Sequence, residues 1–182
     1  MSKLMIASDL HGDALCVEKL LKRYKESGAE RLVLLGDLLY HGPRNDLPEG
    51  YAPKTVIDLL NGVKNELLCV RGNCDTEVDG MVLDFPVMAD YAYISIDGLS
   101  FFATHGHKFN LDTLPPLKKG EILLHGHTHI CAADHFGDEN IYVNPGSVSI
   151  PKNGTPKGYI LYENRQLNFC TLDGSIWKKV TL

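Results

Sequence analysis

The chain has 182 residues, enough for one domain with a buried core, and its 18 basic and 23 acidic residues give a formal net charge of −5. No long run of one charge sign occurs, so the composition does not favour nucleic acid or an anionic membrane as a partner. The five scattered cysteines fit neither a disulfide framework nor a zinc ribbon, and no apolar run approaches the roughly 18 residues of a membrane span. We therefore expect one domain over residues 1–182 in the cytoplasm, without a signal peptide or membrane span.

The first half of the chain alternates between strand and helix patterns. The predicted strands are 4–8, 31–35 and 66–70, and the predicted helices are 13–27 and 53–61. Gly28 follows the first helix where helices commonly end, and Pro53 opens the second. Three prolines and two glycines make residues 40–53 a long loop. This order of elements predicts a parallel sheet.

The second half of the chain has the pattern of short strands. YAYISI and LSFFAT flank Asp97-Gly98, a dipeptide that suits a type I′ hairpin turn. Further short strands are predicted within EILLHGHTHI, NIYVNPGS, GYILYE and QLNFCTL. Together the two halves predict an α/β fold in which two mixed β-sheets pack as a sandwich flanked by helices.

Polar residues follow five of the predicted strands at the point where each strand ends. These clusters are SDLH (8–11), GD (36–37), GNCD (72–75), HGH (105–107) and GHTH (126–129). Each alone is also typical of a turn or of a structural histidine. Ligands of open α/β sheets bind at the carboxyl ends of strands, so the five clusters are expected to meet in one cleft. Their carboxylate, amide and imidazole donors indicate a metal site.

The stretch LLHGHTHI places histidines at 125, 127 and 129. In a continuous strand, residues two apart point to the same face, so the three rings would crowd one side. A turn at Gly126 would re-aim His127 and His129 toward a shared ion. His125 is expected to pack or to support the ligands rather than bind metal.

The order SDLH, LLGDLL, RGNCD, THGH and HGHTH, spanning residues 8–129, resembles the motif series of the calcineurin-like metallophosphoesterases. The short chain, with its 40–53 loop and NPGS, is similar to the small bacterial phosphodiesterases of the YfcE type. The resemblance implies a four-layer metallophosphoesterase fold. One position departs from the pattern, because Cys74 stands where the family usually has a histidine after Gly-Asn. That leaves the usual acid role of this position in doubt.

The resemblance implies two metal ions that share Asp37. The first ion is assigned Asp9, His11, Asp37 and His129, and the second Asp37, Asn73, His105 and His127. Asn73 and His105 are thereby also catalytic candidates, and Cys74 is a doubtful one. The nitrogen and oxygen donors suit manganese, iron, cobalt, nickel or zinc, and the resemblance favours Mn²⁺.

Other histidines and the long loop receive weaker assignments. His107 could contact substrate or could be structural, and His41 and His135 are predicted to be ordinary loop histidines. The 40–53 loop could supply Arg44 or Asn45 to substrate, because long ordered loops are often functional, or it could be a mobile surface loop.

The resemblance implies a metal-dependent phosphodiesterase. A hydroxide bridging the two ions would attack the phosphorus of a small phosphodiester, since paired ions lower the pKa of water and neutralise phosphate charge. The alternatives are a phosphomonoesterase or protein phosphatase, and a non-catalytic protein-interaction scaffold of the same fold. No basic stripe accompanies the site, so a large nucleic acid is not the expected substrate. A homo-oligomer stays open.

Overall fold

The computed structural model describes residues 3–137 and 139–182. Its helices span Ala14–Ser27 (α1) and Pro53–Asn61 (α2). Its strands span Lys3–Ala7 (β1), Arg31–Leu34 (β2), Leu67–Cys69 (β3), Tyr91–Ile96 (β4), Leu99–Thr104 (β5), Ile122–Leu124 (β6), Cys131–Phe136 (β7), Asn140–Pro145 (β8), Gly158–Glu163 (β9), Gln166–Thr171 (β10) and Ile176–Thr181 (β11). In these ranges, no helix is long and apolar enough to cross a membrane.

The strands form two sheets, each mixing parallel and antiparallel neighbours. The first has the order β11-β10-β9-β1-β2-β3, in which β1, β2 and β3 run parallel and β9 joins β1 antiparallel. The second has the order β4-β5-β6-β8-β7, with β5, β6 and β8 parallel between two antiparallel edge strands. The predicted pair of mixed sheets is confirmed.

Strand alternation separates the apolar core into layers. On β1, Met5 and Ala7 pack with the cluster that contains the buried faces of α1 and α2, whereas Leu4 and Ile6 pack with the second sheet. Phe102 lies on the outer face of the second sheet, in contact with residues from the irregular segment 105–121. The sandwich core therefore lies between the sheets, with the helices on one side.

Local sequence explains where the main elements begin and end. The Asp13 carboxylate accepts a hydrogen bond from the Cys16 amide at 3.1 Å and caps α1, which ends at Gly28 in the left-handed conformation. Asp97 and Gly98 both have positive φ, as the predicted type I′ turn requires. The 40–52 segment is irregular, as predicted.

In the second half, one prediction needs correction and two strands were not predicted. The strand predicted within 121–130 spans Ile122–Leu124 and ends before the turn predicted at Gly126, after which His127 and His129 are left-handed. Strands β7 and β11 were not predicted. His135 lies exposed within β7 rather than in a loop, because its strand pairs antiparallel with β8.

Candidate metal centre

The polar clusters at the five strand ends meet at one place between the sheets. Asp9 and His11 follow β1, Asp37 follows β2, and Asn73 follows β3. From the second sheet, His105 follows β5, and the turn after β6 supplies His127 and His129. Three overlapping groups of side chains have their ligand atoms within 4.8 Å of one another inside each group. The groups are Asp9, His11 and His129; Asp9, Asp37 and His105; and His11, Asp37 and Cys74.

Asp9 divides its two carboxylate oxygens between the protein and the cluster. Oδ2 accepts hydrogen bonds from the Ser8 hydroxyl at 2.6 Å and from the His127 amide at 3.0 Å. Oδ1 is buried without a hydrogen-bond partner and lies 3.1 Å from His129 Nε2 and 3.6 Å from His11 Nε2. A buried carboxylate oxygen without a donor is costly, and a cation at this point would remove that cost.

Asp37 lies between the two halves of the cluster. Its Oδ1 accepts the Cys74 amide at 2.8 Å. Its Oδ2 is 3.7 Å from His11 Nε2 and 3.4 Å from His105 Nε2. The oxygen that faces the cluster is therefore within reach of imidazoles from both predicted metal sites, as a shared ligand requires.

Backbone carbonyls orient three of the imidazoles. Nδ1 of His11 lies 2.8 Å from the Tyr40 carbonyl oxygen, Nδ1 of His105 lies 2.6 Å from that of Leu35, and Nδ1 of His129 lies 2.8 Å from that of Ile150. When Nδ1–H donates to these oxygens, each neutral ring presents its Nε2 lone pair to the cluster. This is the usual second hydrogen bond of a metal-binding histidine.

Pairs of imidazole nitrogens face each other across the cluster. His11 Nε2 and His129 Nε2 are 3.2 Å apart, and so are His105 Nε2 and His127 Nδ1. The Asn73 amide oxygen lies 3.1 Å from His105 Nε2. Facing lone pairs need a proton or a cation between them. The donor set therefore fits divalent metal, and it contains the atoms that the sequence assigned to both ions.

The electrostatic field within the cluster also favours a cation at this point. Burial opposes ionisation of Asp9, but the imidazoles of His11 and His129 hold the pKa of its carboxyl well below the usual range. Burial also opposes a charge on His105, yet Asp37 and Asp9 raise its pKa to about 9. The site thus holds anionic carboxylates beside the His105 ring, which favours a positive charge, and metal binding would displace its proton.

The backbone at the cluster adopts conformations that most residues avoid. Five of the seven proposed ligands have positive φ: Asp9, His11, Asp37, His127 and His129. Such conformations are costly outside glycine and concentrate at functional sites, where surrounding structure holds them. Gly126 leaves room for this turn because a Cβ there would overlap the Ser8 hydroxyl.

Two groups of polar residues that the sequence analysis missed hold this backbone in place. The hydroxyls of Ser147 and Ser149 both donate to the Asp9 carbonyl, at 2.8 and 3.0 Å. The buried Asp75 carboxylate accepts the amides of Asp37, Leu38 and Gly72 at 2.7–2.9 Å. NPGS after a strand and the acid of GNCD were visible in the sequence, but their distant partners were not.

Cys74 is almost fully buried, with 8% of its surface exposed, and carries no positive charge. The Asn73 side-chain amide donates to its sulfur at 3.2 Å. Burial, followed by the nearby Asp37 carboxylate, raises the pKa of the thiol to about 12. Its thiol is therefore a weak proton donor at neutral pH.

The remaining histidines lie around the cluster rather than in it. The His125 ring packs on Tyr142 with centroids 4.5 Å apart, and burial lowers its pKa to about 4. The ring centroids of His107 and His105 are 5.4 Å apart. His41 lies in the loop, partly buried against Tyr40 and Tyr51. Arg44 and Asn45 line a cavity that also borders Asp37.

Sequence comparison connects this arrangement with known enzymes. Residues 2–166 match the family model of the calcineurin-like phosphoesterase superfamily domain. The chain is 47% identical to phosphodiesterase YfcE of Escherichia coli K12, with 100% of this chain and 99% of that protein aligned. It is 23% identical to phosphodiesterase MJ0936 of Methanocaldococcus jannaschii over 85% of this chain and 89% of that protein.

Solved structures give the same relationship at the level of the fold. The structure of the E. coli phosphoesterase YfcE superimposes with a TM-score of 0.94, covering 98% of each chain at 47% identity. Vps29 from Entamoeba histolytica, solved with zinc, superimposes with a TM-score of 0.60 at 19% identity, covering 98% of each chain. The second likeness concerns the fold alone.

Proposed function

The chain belongs to the calcineurin-like phosphoesterase superfamily, and we propose that it hydrolyses small phosphodiesters at a centre of two divalent metal ions. The reaction class, phosphoric diester hydrolysis, rests on 47% identity to a phosphodiesterase over the full chain. The structural observation that carries the proposal is the buried cluster around Asp9 and Asp37, in which one oxygen of each carboxylate faces imidazole nitrogens.

Seven side chains would hold the ions. One site comprises Asp9, His11, Asp37 and His129, and the other comprises Asp37, Asn73, His105 and His127. When bound, such ions act as Lewis acids on phosphate and make hydroxide available at neutral pH. The facing nitrogens and the partnerless Asp9 oxygen support this assignment. Mn²⁺ is our choice of metal because the donors are nitrogen and oxygen and the family resemblance favours it; iron, cobalt, nickel and zinc have the same donor preferences.

The chain's own residues set the orientation of substrate and the supply of protons. His127 and Asn73 border the solvent-open side of the cluster, where a phosphate can enter. Cys74 lies beside them, but its buried thiol has a raised pKa and supplies neither a ready proton nor a positive charge. The enzyme is therefore suited to diesters whose leaving group departs without protonation.

The alternative functions differ in what they require of the site. A phosphomonoesterase or protein phosphatase would use the same ligands, and nothing in the site favours a monoester. A non-catalytic scaffold could lose a ligand, whereas all seven assigned side chains lie together here. A cytoplasmic location belongs to the same proposal, and the oligomeric state stays open.

The proposal is tested with matched aryl esters. Bis(4-nitrophenyl) phosphate and 4-nitrophenyl phosphate are assayed with Mn²⁺ and with excess EDTA. We expect hydrolysis of the diester, with a higher kcat/KM than the monoester, and its loss in EDTA with recovery on adding Mn²⁺. Preference for the monoester would favour a phosphatase. Hydrolysis of neither ester would favour the scaffold.

A further inference from the structure

Two cavities meet at the open side of the metal cluster. The first has a volume of about 500 Å³ and the second about 440 Å³, both within the roughly 300–1,000 Å³ range of small-molecule sites. His127 and Thr128 line both cavities and form the ridge between them. A phosphate at His127 would therefore have one cavity on each side.

The first cavity has an apolar lining. Leu111, Ile130, Ala132 and the Tyr142 ring contribute to its walls. Asp112 also lines it and would repel an anionic ligand. This cavity suits an aromatic or other apolar group of planar shape, which can bury its surface against these side chains.

The second cavity carries positive charge. Arg44 and Lys152 line it together with Asn73 and Cys74, and the carboxylate of Asp37, a proposed metal ligand, borders it on the side of the cluster. The ion pairs found within residues 3–137 and 139–182 involve neither cation. Two unpaired cations beside a polar wall suit an anionic group such as a carboxylate or a further phosphate.

A phosphodiester carries two ester arms on one phosphorus, and the two cavities differ in chemistry. From this difference, and resting on the function proposed above, we propose that the substrate is an unsymmetrical diester. Its apolar or aromatic arm occupies the cavity lined by Leu111, and its anionic arm occupies the cavity lined by Arg44. The His127–Thr128 ridge separates the arms.

Single-arm phosphates test each cavity separately. Phenyl phosphate, 2-carboxyethyl phosphate and methyl phosphate are compared as competitive inhibitors of bis(4-nitrophenyl) phosphate hydrolysis with Mn²⁺. We expect the first two to bind about tenfold more tightly than methyl phosphate. Leu111→Asp should remove the advantage of the phenyl arm only. Arg44→Gln combined with Lys152→Gln should remove that of the carboxyethyl arm only.

Matched control variants are available at two exposed positions outside the cavities. Leu114 is 53% exposed against 44% for Leu111 and does not line the cavity, so Leu114→Asp should leave the inhibitor ratios unchanged. Lys118→Gln removes an exposed cation outside the second cavity and should also leave the inhibitor ratios unchanged. If the Leu111 and Arg44 variants also leave the ratios unchanged, or change both ratios equally, the two-arm assignment is wrong.

The diester itself is tested with one constant leaving group. We expect 4-nitrophenyl 2-carboxyethyl phosphate to exceed 4-nitrophenyl propyl phosphate about tenfold in kcat/KM, and the Arg44/Lys152 double variant to bring this ratio near one. Equal rates in the wild type would overturn the inference while leaving phosphodiesterase activity intact. Absence of hydrolysis would overturn the proposed function instead. Methyl NMR then tests the cavity directly, since phenyl phosphate added with diamagnetic Zn²⁺ should shift the methyl signals of Ile130 and Leu111 but not those of Leu114.

Discussion

The two proposed halves of the metal centre differ in their access to solvent. The first is enclosed, because the exposed fraction of the surface is 0% for Asp9, 1% for His11 and 3% for His129. The second shares buried Asp37 and contains buried His105, but adds an exposed Asn73 and a partly buried His127, which borders both cavities. On the proposed assignment, the enclosed half would retain its ion and the open half would meet substrate.

The two carboxylates of the cluster have separate backbone supports. Ser147 and Ser149 hold the Asp9 carbonyl in the enclosed half, whereas Asp75 holds the amides at Asp37, which both halves share. The supports come from segments far apart in the chain. Variants that remove a ligand of one half, or the support of the shared Asp37, can therefore test whether the halves act separately.

The largest effect is expected from Asp37→Ala, because Asp37 is the ligand common to both halves. Hydrolysis of bis(4-nitrophenyl) phosphate should fall by about 10³-fold or more, since a bound ion supplies several kcal/mol of transition-state stabilisation. Bound metal, measured by elemental analysis, should fall at both sites, and added Mn²⁺ should not restore turnover. Near-wild-type kcat at any manganese concentration would contradict a shared ligand.

The second-largest effect is a loss of activity that should differ among the three histidines of residues 125–129. His127→Ala and His129→Ala should each lower kcat/KM by about 10²-fold, and His125→Ala by less than tenfold, because its ring packs on Tyr142 outside the cluster. Loss of His127 should also raise KM, since that residue borders both cavities. His135→Ala, on exposed β7, is the control. Equal losses from all three turn variants would show that the enclosed and open halves are assigned wrongly.

A smaller effect is expected when the support of the shared Asp37 is removed. Asp75→Ala leaves three buried amides without their acceptor, and each unsatisfied group costs about 1–3 kcal/mol. The free energy of unfolding, measured in urea, should fall by at least that amount for one amide. Glu77→Ala, on an exposed turn nearby, is the control. Because both halves share Asp37, bound metal should fall at both sites, and loss at one site alone would contradict the shared ligand.

The smallest effects are expected at Cys74, within the open half. Cys74→Ser should be nearly neutral with an aryl diester, because the buried thiol supplies no ready proton to the leaving group. Cys74→His should raise activity on poorer leaving groups or monoesters, where general acid catalysis contributes typically ~10²–10⁴-fold. A plot of log rate against leaving-group pKa, at saturating Mn²⁺, compares the wild type with Cys74→His. Coincident slopes would mean that position 74 lies away from the leaving group.

Much of the fold could be predicted because its elements carry local signals. The helix 53–61 was predicted to the residue, and β1, β2 and β3 to within one residue at each end, from apolar runs and their flanking residues. Strands β7 and β11 were missed because they are partly or largely exposed edge strands, in which pairing with β8 and β10 rather than an apolar pattern determines the structure.

The residues proposed as ligands could be singled out in the sequence, whereas their supports could not. The proposed ligands lie in short polar clusters at the strand ends, and these clusters are visible in the sequence. Ser149 and Asp9, however, are 140 residues apart, and Asp75 and Asp37 are 38 apart. No local pattern predicts such pairs, because the fold alone brings them together.

The position of β1 in the middle of the first sheet affects when the fold can be completed during synthesis. β1 leaves the ribosome before the other described strands, yet one of its two neighbours is β9, and the hydroxyls that hold Asp9 belong to Ser147 and Ser149. At roughly 5–20 residues per second, the nascent chain spends many seconds with Asp9 and His11 already synthesised but without those partners. The proposed metal centre can therefore be completed only after Ser147 and Ser149 have been synthesised.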